Sequence, residues 1–169
     1  RSVGHVMREL IAAKEQFPHM ESVNFYDDLF TFDYNWVKEF VGPYTQHINF
    51  PFWCFIHPSR VDERIIELLT NAGCRFFCLG VQSGSERTLF DVFHRRTPLK
   101  LLHQDFAKLR RFPTRVQVDL ITANPFETDE DRRETLRMLC EMDKRDDPED
   151  PFRWGISMSR LTYFPNAEI

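Results

Sequence analysis

Four short stretches carry the side chains that could do chemistry. Asp27 and Asp28 set two carboxylates side by side directly after an apolar run. Like charges that close repel, so the pair calls for a metal cation, a protonated amine or solvent. Gln82-Ser83 stands where the apolar run 75–81 ends, and its amide can hydrogen-bond a ligand hydroxyl. Asp119 lies inside the apolar run 116–121, where a buried acid needs a partner, and Asn124 and Glu127 follow it. Glu127 equally suits the positive end of the helix that comes next. Cys74 and Cys78 stand four apart on a strand, a spacing that turns both to one face and invites a metal reading. A structural zinc site wants about four ligands, and no second Cys or His pair lies close by. These two cysteines, with Cys54 and Cys140, are therefore expected to be packed core thiols, and no metal ligand is assigned.

The elements that hold these groups follow from periodicity and punctuation. Val6, Leu10, Ala13 and Phe17 recur at helical spacing, which predicts a helix over 3–16. A strand over 22–26 ends at Asp27. Asp33 caps a helix running to Val41, where Gly42-Pro43 ends it. The strand 50–56 leads to His57, and a helix over 62–72 closes on Gly73, the residue suited to a left-handed C-terminus. The near-continuous apolar run 75–81 predicts a strand buried on both faces, as in a parallel sheet. Ser83 and Glu86 have capping-box spacing and open a short helix; Pro98 opens another, to about residue 111. A strand over 116–121 precedes a second capping box, Thr128 to Asp131, which starts a long helix to about residue 144. A charged, proline-marked loop over 145–151 leads to a last strand over 154–161 and the segment 163–169.

Five strands separated by helices predict an α/β fold with a parallel sheet and right-handed crossovers in one domain, 1–169. Periodicity leaves open whether the sheet curls into a partial barrel or stays flat and doubly wound. In both cases the residues just past each strand converge on one rim: Asp27 and Asp28, His57, Gln82 and Ser83, Asn124 with Glu127, and the segment from Tyr163. With 169 residues and a net charge of −4 the chain can bury a sizeable core and lacks the basic excess of a broad nucleic-acid surface. Its basic clusters, at 95–96, 108–111 and 132–133, read mostly as solvated helix faces. No apolar run reaches the roughly 18 residues of a membrane span, so no membrane partner is expected. Arg1 opens the chain with neither an initiator Met nor a signal segment, which reads as a boundary or a processing product. Cysteines set in apolar segments suit a reducing, cytoplasmic setting. There is no phosphate-binding glycine loop and no serine nucleophile elbow.

Taken together, these stretches resemble the core domain of radical S-adenosylmethionine (SAM) enzymes, a partial (β/α)₆ barrel of the TIM type, and most of all the branch whose members often carry an upstream cobalamin-binding domain. The resemblance runs nearly end to end. It rests on Asn24-Phe-Tyr-Asp-Asp-Leu-Phe30, on Ala72-Gly-Cys-Arg75 running into Gly80-Val-Gln-Ser-Gly-Ser85, on Asp119 through Asp131, and on a Pro-containing turn at 164–169. It implies SAM as cofactor. Asp27 and Asp28 would lie near its amino group, Gln82 and Ser83 at its ribose or carboxylate side, and Arg96 (or its neighbour Arg95) at the carboxylate. Ile121, Ala123 and Asn124 would pack on the adenine. Family members commonly have Gly where this chain has Ala123.

That family holds a [4Fe–4S] cluster through Cys-x-x-x-Cys-x-x-Cys after strand one, and no such triplet occurs here. The chain is accordingly expected to be a fragment spanning strands two to six. The cluster, the 5′-deoxyadenosyl radical and any cobalamin would then belong to the full-length parent, and this piece alone would be catalytically inert. No catalytic residue is assigned; His57 and Tyr163 are rim candidates for substrate contact. Two other readings stand beside this one: a non-catalytic (β/α) scaffold or interaction module, and a divalent-metal hydrolase or lyase built on Asp27, Asp28, Asp119 and Glu127. A barrel without its first strand leaves an unpaired edge at 22–26, which predicts self-association.

Overall fold

The computed structural model describes residues 1–144 and 152–162. Tyr163, the terminal segment from 163 and the loop 145–151 lie outside the described residues. The elements run α1 (Val3–Gln16), β1 (Val23–Phe25), α2 (Tyr34–His47), β2 (Phe52–Ile56), α3 (Glu63–Asn71), β3 (Cys74–Gln82), α4 (Leu99–Leu109), β4 (Arg115–Thr122), α5 (Asp129–Asp143) and β5 (Arg153–Arg160). All strand pairs are parallel and the strands lie in the order β1-β2-β3-β4-β5. That order settles what periodicity left open. A doubly wound sheet reverses direction at a switch point, whereas strands that each step to the next neighbour by right-handed crossovers put their helices on one face. The result is an arc of a (β/α) barrel.

Burial follows this geometry. Phe52, Cys54 and Ile56 on β2, Phe77, Leu79 and Val81 on β3, and Val116, Val118 and Leu120 on β4 are buried together in one core. The alternate positions Trp53, Phe55, Phe76, Gln117 and Asp119 are half-buried and line the concave face. Phenylalanine fills the core at the β1 end, where Phe25 meets Phe30, Phe40 and Phe52 within 4.6 to 5.7 Å. No helix among the described residues is long and apolar enough to cross a membrane.

Local chemistry fixes the helix ends. Asp33 accepts from the N–H groups of Asn35 and Trp36, and Asp62 accepts from that of Arg64. Gly73 takes φ +103° at the end of α3. In two places the helix expectations fail. Helix α2 does not stop at Gly42-Pro43 but runs on to His47. Proline inside a helix costs roughly 3 kcal/mol. One further turn buries Tyr44 and Ile48 almost completely, at about 1.5–3 kcal/mol for each large side chain. It also lets the Tyr44 hydroxyl donate to the Phe50 carbonyl at 2.9 Å. The short helix after β3 is capped by Ser85 rather than Ser83: Thr88 N–H donates to Ser85 Oγ, and Glu86 accepts instead from Leu99 N–H.

The cysteines also depart from expectation. Cys74 stands opposite Phe52, Phe76 opposite Trp53 and Phe77 opposite Cys54, with a register shift between. Because Phe52 and Cys54 share a face, Cys74 shares that face with Phe77, and Cys78 points the other way. The two thiols expected on one side of β3 are on opposite sides. Cys54, Cys74 and Cys78 are buried as expected, but Cys140 is exposed on α5.

Candidate functional site

The polar residues past the strands do gather along the C-terminal rim of the arc. Asp27 and Asp28 lie exposed just beyond β1. Asp27 borders a cleft of about 510 Å³ shared with Asn24, Phe25 and Trp36. Among the described residues neither carboxylate pairs with a cation.

Beyond β2, His57 continues the extended backbone with φ −104° and ψ 136°. Its Nδ1 receives the Ser59 N–H at 3.2 Å and the Ser59 hydroxyl at 2.8 Å. An amide can only donate, so Nδ1 is the acceptor and the neutral ring carries its proton on Nε2. Burial, and then the Arg95 and Arg60 guanidiniums, push the imidazole below its ordinary pKa.

At the end of β3 the ladder slips between Gly80 and Gln82, and Gln82 takes φ 73°. The slip brings Gln82 over Gly80: a Cβ placed there would meet Gln82 Nε2 at 3.1 Å and Arg95 Nη1 at 3.8 Å. Arg95 donates from Nη1 to the Gly80 carbonyl at 2.7 Å, and its burial lowers the guanidinium pKa. It pairs with no carboxylate among the described residues. Arg96, the neighbour favoured by the resemblance, is exposed. Of these two neighbours it is Arg95 that turns back to the end of β3.

Ser83 is 1% exposed. Its hydroxyl lies 3.4 Å from Glu127 Oε1 and 3.3 Å from Thr135 Oγ1, and accepts from Ser85 N–H. It ties the β3 loop to α5 and does not open onto the rim. Burial raises the Glu127 pKa against the lowering effect of the Ser83 contact. Past β4, Ala123 takes φ 54° and Ile121 is half-buried. Asn124 is 3% exposed; its Oδ1 accepts from Phe126 N–H at 3.0 Å, while its buried Nδ2 has no acceptor. Asp119 accepts from Gln117 Nε2 at 3.3 Å. Asp27, Asp28, Asp119 and Glu127 do not come together: among the described residues no three His, Cys, Asp or Glu side chains could hold a metal ion.

One arrangement escaped sequence reasoning. Asp131 is the expected capping-box residue, yet it also receives Ser85 Oγ at 2.6 Å and Arg87 Nε at 3.0 Å, besides Arg87 Nη2 and both Thr128 donors. Arg87 reaches on to the Phe126 carbonyl at 2.7 Å. These bonds, led by the Arg87 contact, hold the Asp131 carboxyl far below the usual carboxylate range. The loops after β3 and β4 are thereby clamped to one helix start. The capping spacing was the only signal in the sequence; the reach of Arg87 across 44 residues left none.

A sequentially ordered, partly closed parallel arc with its polar residues on the C-terminal rim can be compared with known folds. No family model matches the sequence, and no curated protein does. Solved structures do. The radical SAM methyltransferase TsrM from Kitasatospora setae, with cobalamin and a [4Fe–4S] cluster bound, superposes with a TM-score of 0.69 at 19% identity, covering 94% of this chain and 31% of its own. The cobalamin-dependent SAM radical enzyme OxsB gives 0.68 at 14% identity, over 82% and 22%. Coproporphyrinogen III oxidase (HemN) from Escherichia coli, a radical SAM enzyme, gives 0.63 at 15%, over 89% and 37%. The chain thus spans between about a fifth and just over a third of these proteins and shares their fold.

Proposed function

We propose that this chain is a core fragment of a radical SAM enzyme and that its rim binds the SAM methionine and nucleoside. One observation carries the reading: three unsatisfied groups of complementary kind stand in order along the rim. Asp27 and Asp28 are unpaired acids after β1, Arg95 is a half-buried cation at β3, and Asn124 Nδ2 is a buried donor without an acceptor after β4. A zwitterion with an attached heterocycle satisfies all three: its ammonium at the acids, its carboxylate at Arg95, its adenine edge at Asn124 beside Ile121 and Ala123. Gln82, arched over Gly80, supplies the amide for the ribose or carboxylate. Ser83 supports this from behind by fixing the turn.

The cysteines do not suit an iron–sulfur cluster. Cys54, Cys74 and Cys78 are buried and divided between two faces of the sheet, and Cys140 is exposed on a helix. Reductive cleavage of SAM therefore belongs to a longer parent, and cobalamin is supported only by the neighbours in which it is bound. The acids expected of a metal hydrolase stay apart, so no geometric feature favours that alternative.

Calorimetric titration of the folded chain with SAM tests the proposal. Saturable binding is expected, weakened about tenfold, or roughly 1.4 kcal/mol, by Asp27→Asn with Asp28→Asn and by Arg95→Gln, with Arg96→Gln near wild type. Absence of saturable binding to the folded chain, or equal sensitivity to Arg96→Gln, overturns it.

A further inference from the structure

The end of β2 gathers positive and donor groups that the SAM contacts leave unused. His57 follows Ile56, which stands opposite Leu79, so in continued register it lies beside Gly80, on the same concave row as Asp119. Its Nδ1 is occupied by Ser59, which leaves Nε2–H free to donate. Three residues on, in the turn Pro58–Arg60, Arg60 N–H is bonded to the His57 carbonyl at 2.8 Å. The Arg60 guanidinium rests over the exposed Phe32 ring, 5.5 Å from its centroid. Neighbouring acids are already committed: Asp62 holds Arg64 at 2.6 Å and Glu63 holds Arg111 at 2.8 Å. Among the described residues Arg60 has no carboxylate partner. Arg60 and His57 thus share one turn just past β2, and Arg95 reaches the carbonyl of Gly80, the residue that His57 lies beside in register. A stacked guanidinium and a fixed N–H donor on one turn suit a planar or tetrahedral oxyanion.

We propose that Arg60 and His57 form an anion subsite for the molecule on which the SAM chemistry acts, whose carboxylate or phosphate group docks at the end of β2. This deepens the SAM reading: Arg95 serves SAM, while Arg60 and His57 define an acidic second substrate.

Inorganic phosphate and acetate, titrated separately into the 169-residue chain, distinguish the two anion types, with the His57 side-chain NMR resonances as readout. One of the anions is expected to shift His57 saturably. Its affinity is expected to fall about tenfold in Arg60→Gln, an exposed position whose loss spares the core, and to remain unchanged with saturating SAM present. A His57 signal unmoved by either anion, or binding indifferent to Arg60→Gln, overturns the subsite; so does displacement by SAM, which would assign the site to SAM's own carboxylate. The two readings separate cleanly. SAM binding without an anion effect removes only the subsite, whereas an anion effect without SAM binding removes the SAM reading and with it the assignment of the subsite to a substrate of SAM chemistry.

Discussion

Ala123 holds φ at 54°, in the left-handed region where a Cβ costs roughly 1–2 kcal/mol. Gln82 pays the same strain at the end of the neighbouring strand, and strained backbone on a rim otherwise built from regular strands is typical of ligand clamps. Ala123→Gly is therefore expected to stabilise the fold by about 1 kcal/mol, the relief being partly offset by the freer unfolded chain. Urea unfolding measures it, and a destabilised variant would show that Ala123 is not strained. The sequence marked that position only as one where the resembled family commonly has glycine, and the left-handed φ is what the structure adds. The choice between Arg95 and Arg96 was not readable from the sequence. Both arginines follow the turn Thr88–Val92 in irregular backbone, where no period says which side chain turns back to Gly80. The faces of Cys74 and Cys78 were hidden for a similar reason: an irregularity in the β2–β3 ladder breaks the period of two on which the reading relied.

Elements were legible wherever a local signal closes on itself. Asp33, Asp62, Gly73 and the Thr128–Asp131 box all end helices where their chemistry says they should. The proline in α2 misled because tertiary burial of Tyr44 outweighs a local penalty that is visible in sequence. The Asp131 clamp shows how a local cap becomes a long-range tie between the start of α5 and the loops after β3 and β4. Replacing Asp131 by Asn removes a buried charge that five donors share, and about 3 kcal/mol of stability is expected to go with it, discounted because Arg87 is itself part-exposed. The pH dependence has a definite sign. A carboxyl whose folded pKa is depressed lends stability that is fully present above its unfolded value, about 3.9. That stability is lost as pH falls below it toward the folded value. Wild type is thus expected to lose part of its margin below about pH 4, with a smaller loss in Asp131→Asn. Denaturant titrations at pH 7 and pH 3 measure both slopes; parallel losses in the two proteins would remove Asp131 as the cause.

At the scale of the whole arc, both ends of the sheet are open among the described residues, and they are unequal. The edge anticipated from sequence, β1, is only three residues long, and short edges are one way proteins blunt strand addition. The other end, β5, is eight residues long, and no described strand pairs with its far side. Its outer-face residues stand opposite Val118 and Leu120, which helices bury, yet Ile156 is 43% and Met158 63% exposed, with Leu136 on α5 at 61%. A contiguous apolar surface beside an unpaired strand favours association of like chains. Self-association is therefore expected to proceed through β5 rather than β1. Sedimentation velocity across a concentration series is expected to show growing dimer or higher species. Met158→Lys, which sets a charge on the open face without touching the core, is expected to suppress them, whereas Asn24→Lys on β1 is not. A wild-type monomer at every concentration, or suppression by the β1 change alone, would return the sticky edge to the short strand that the sequence first suggested.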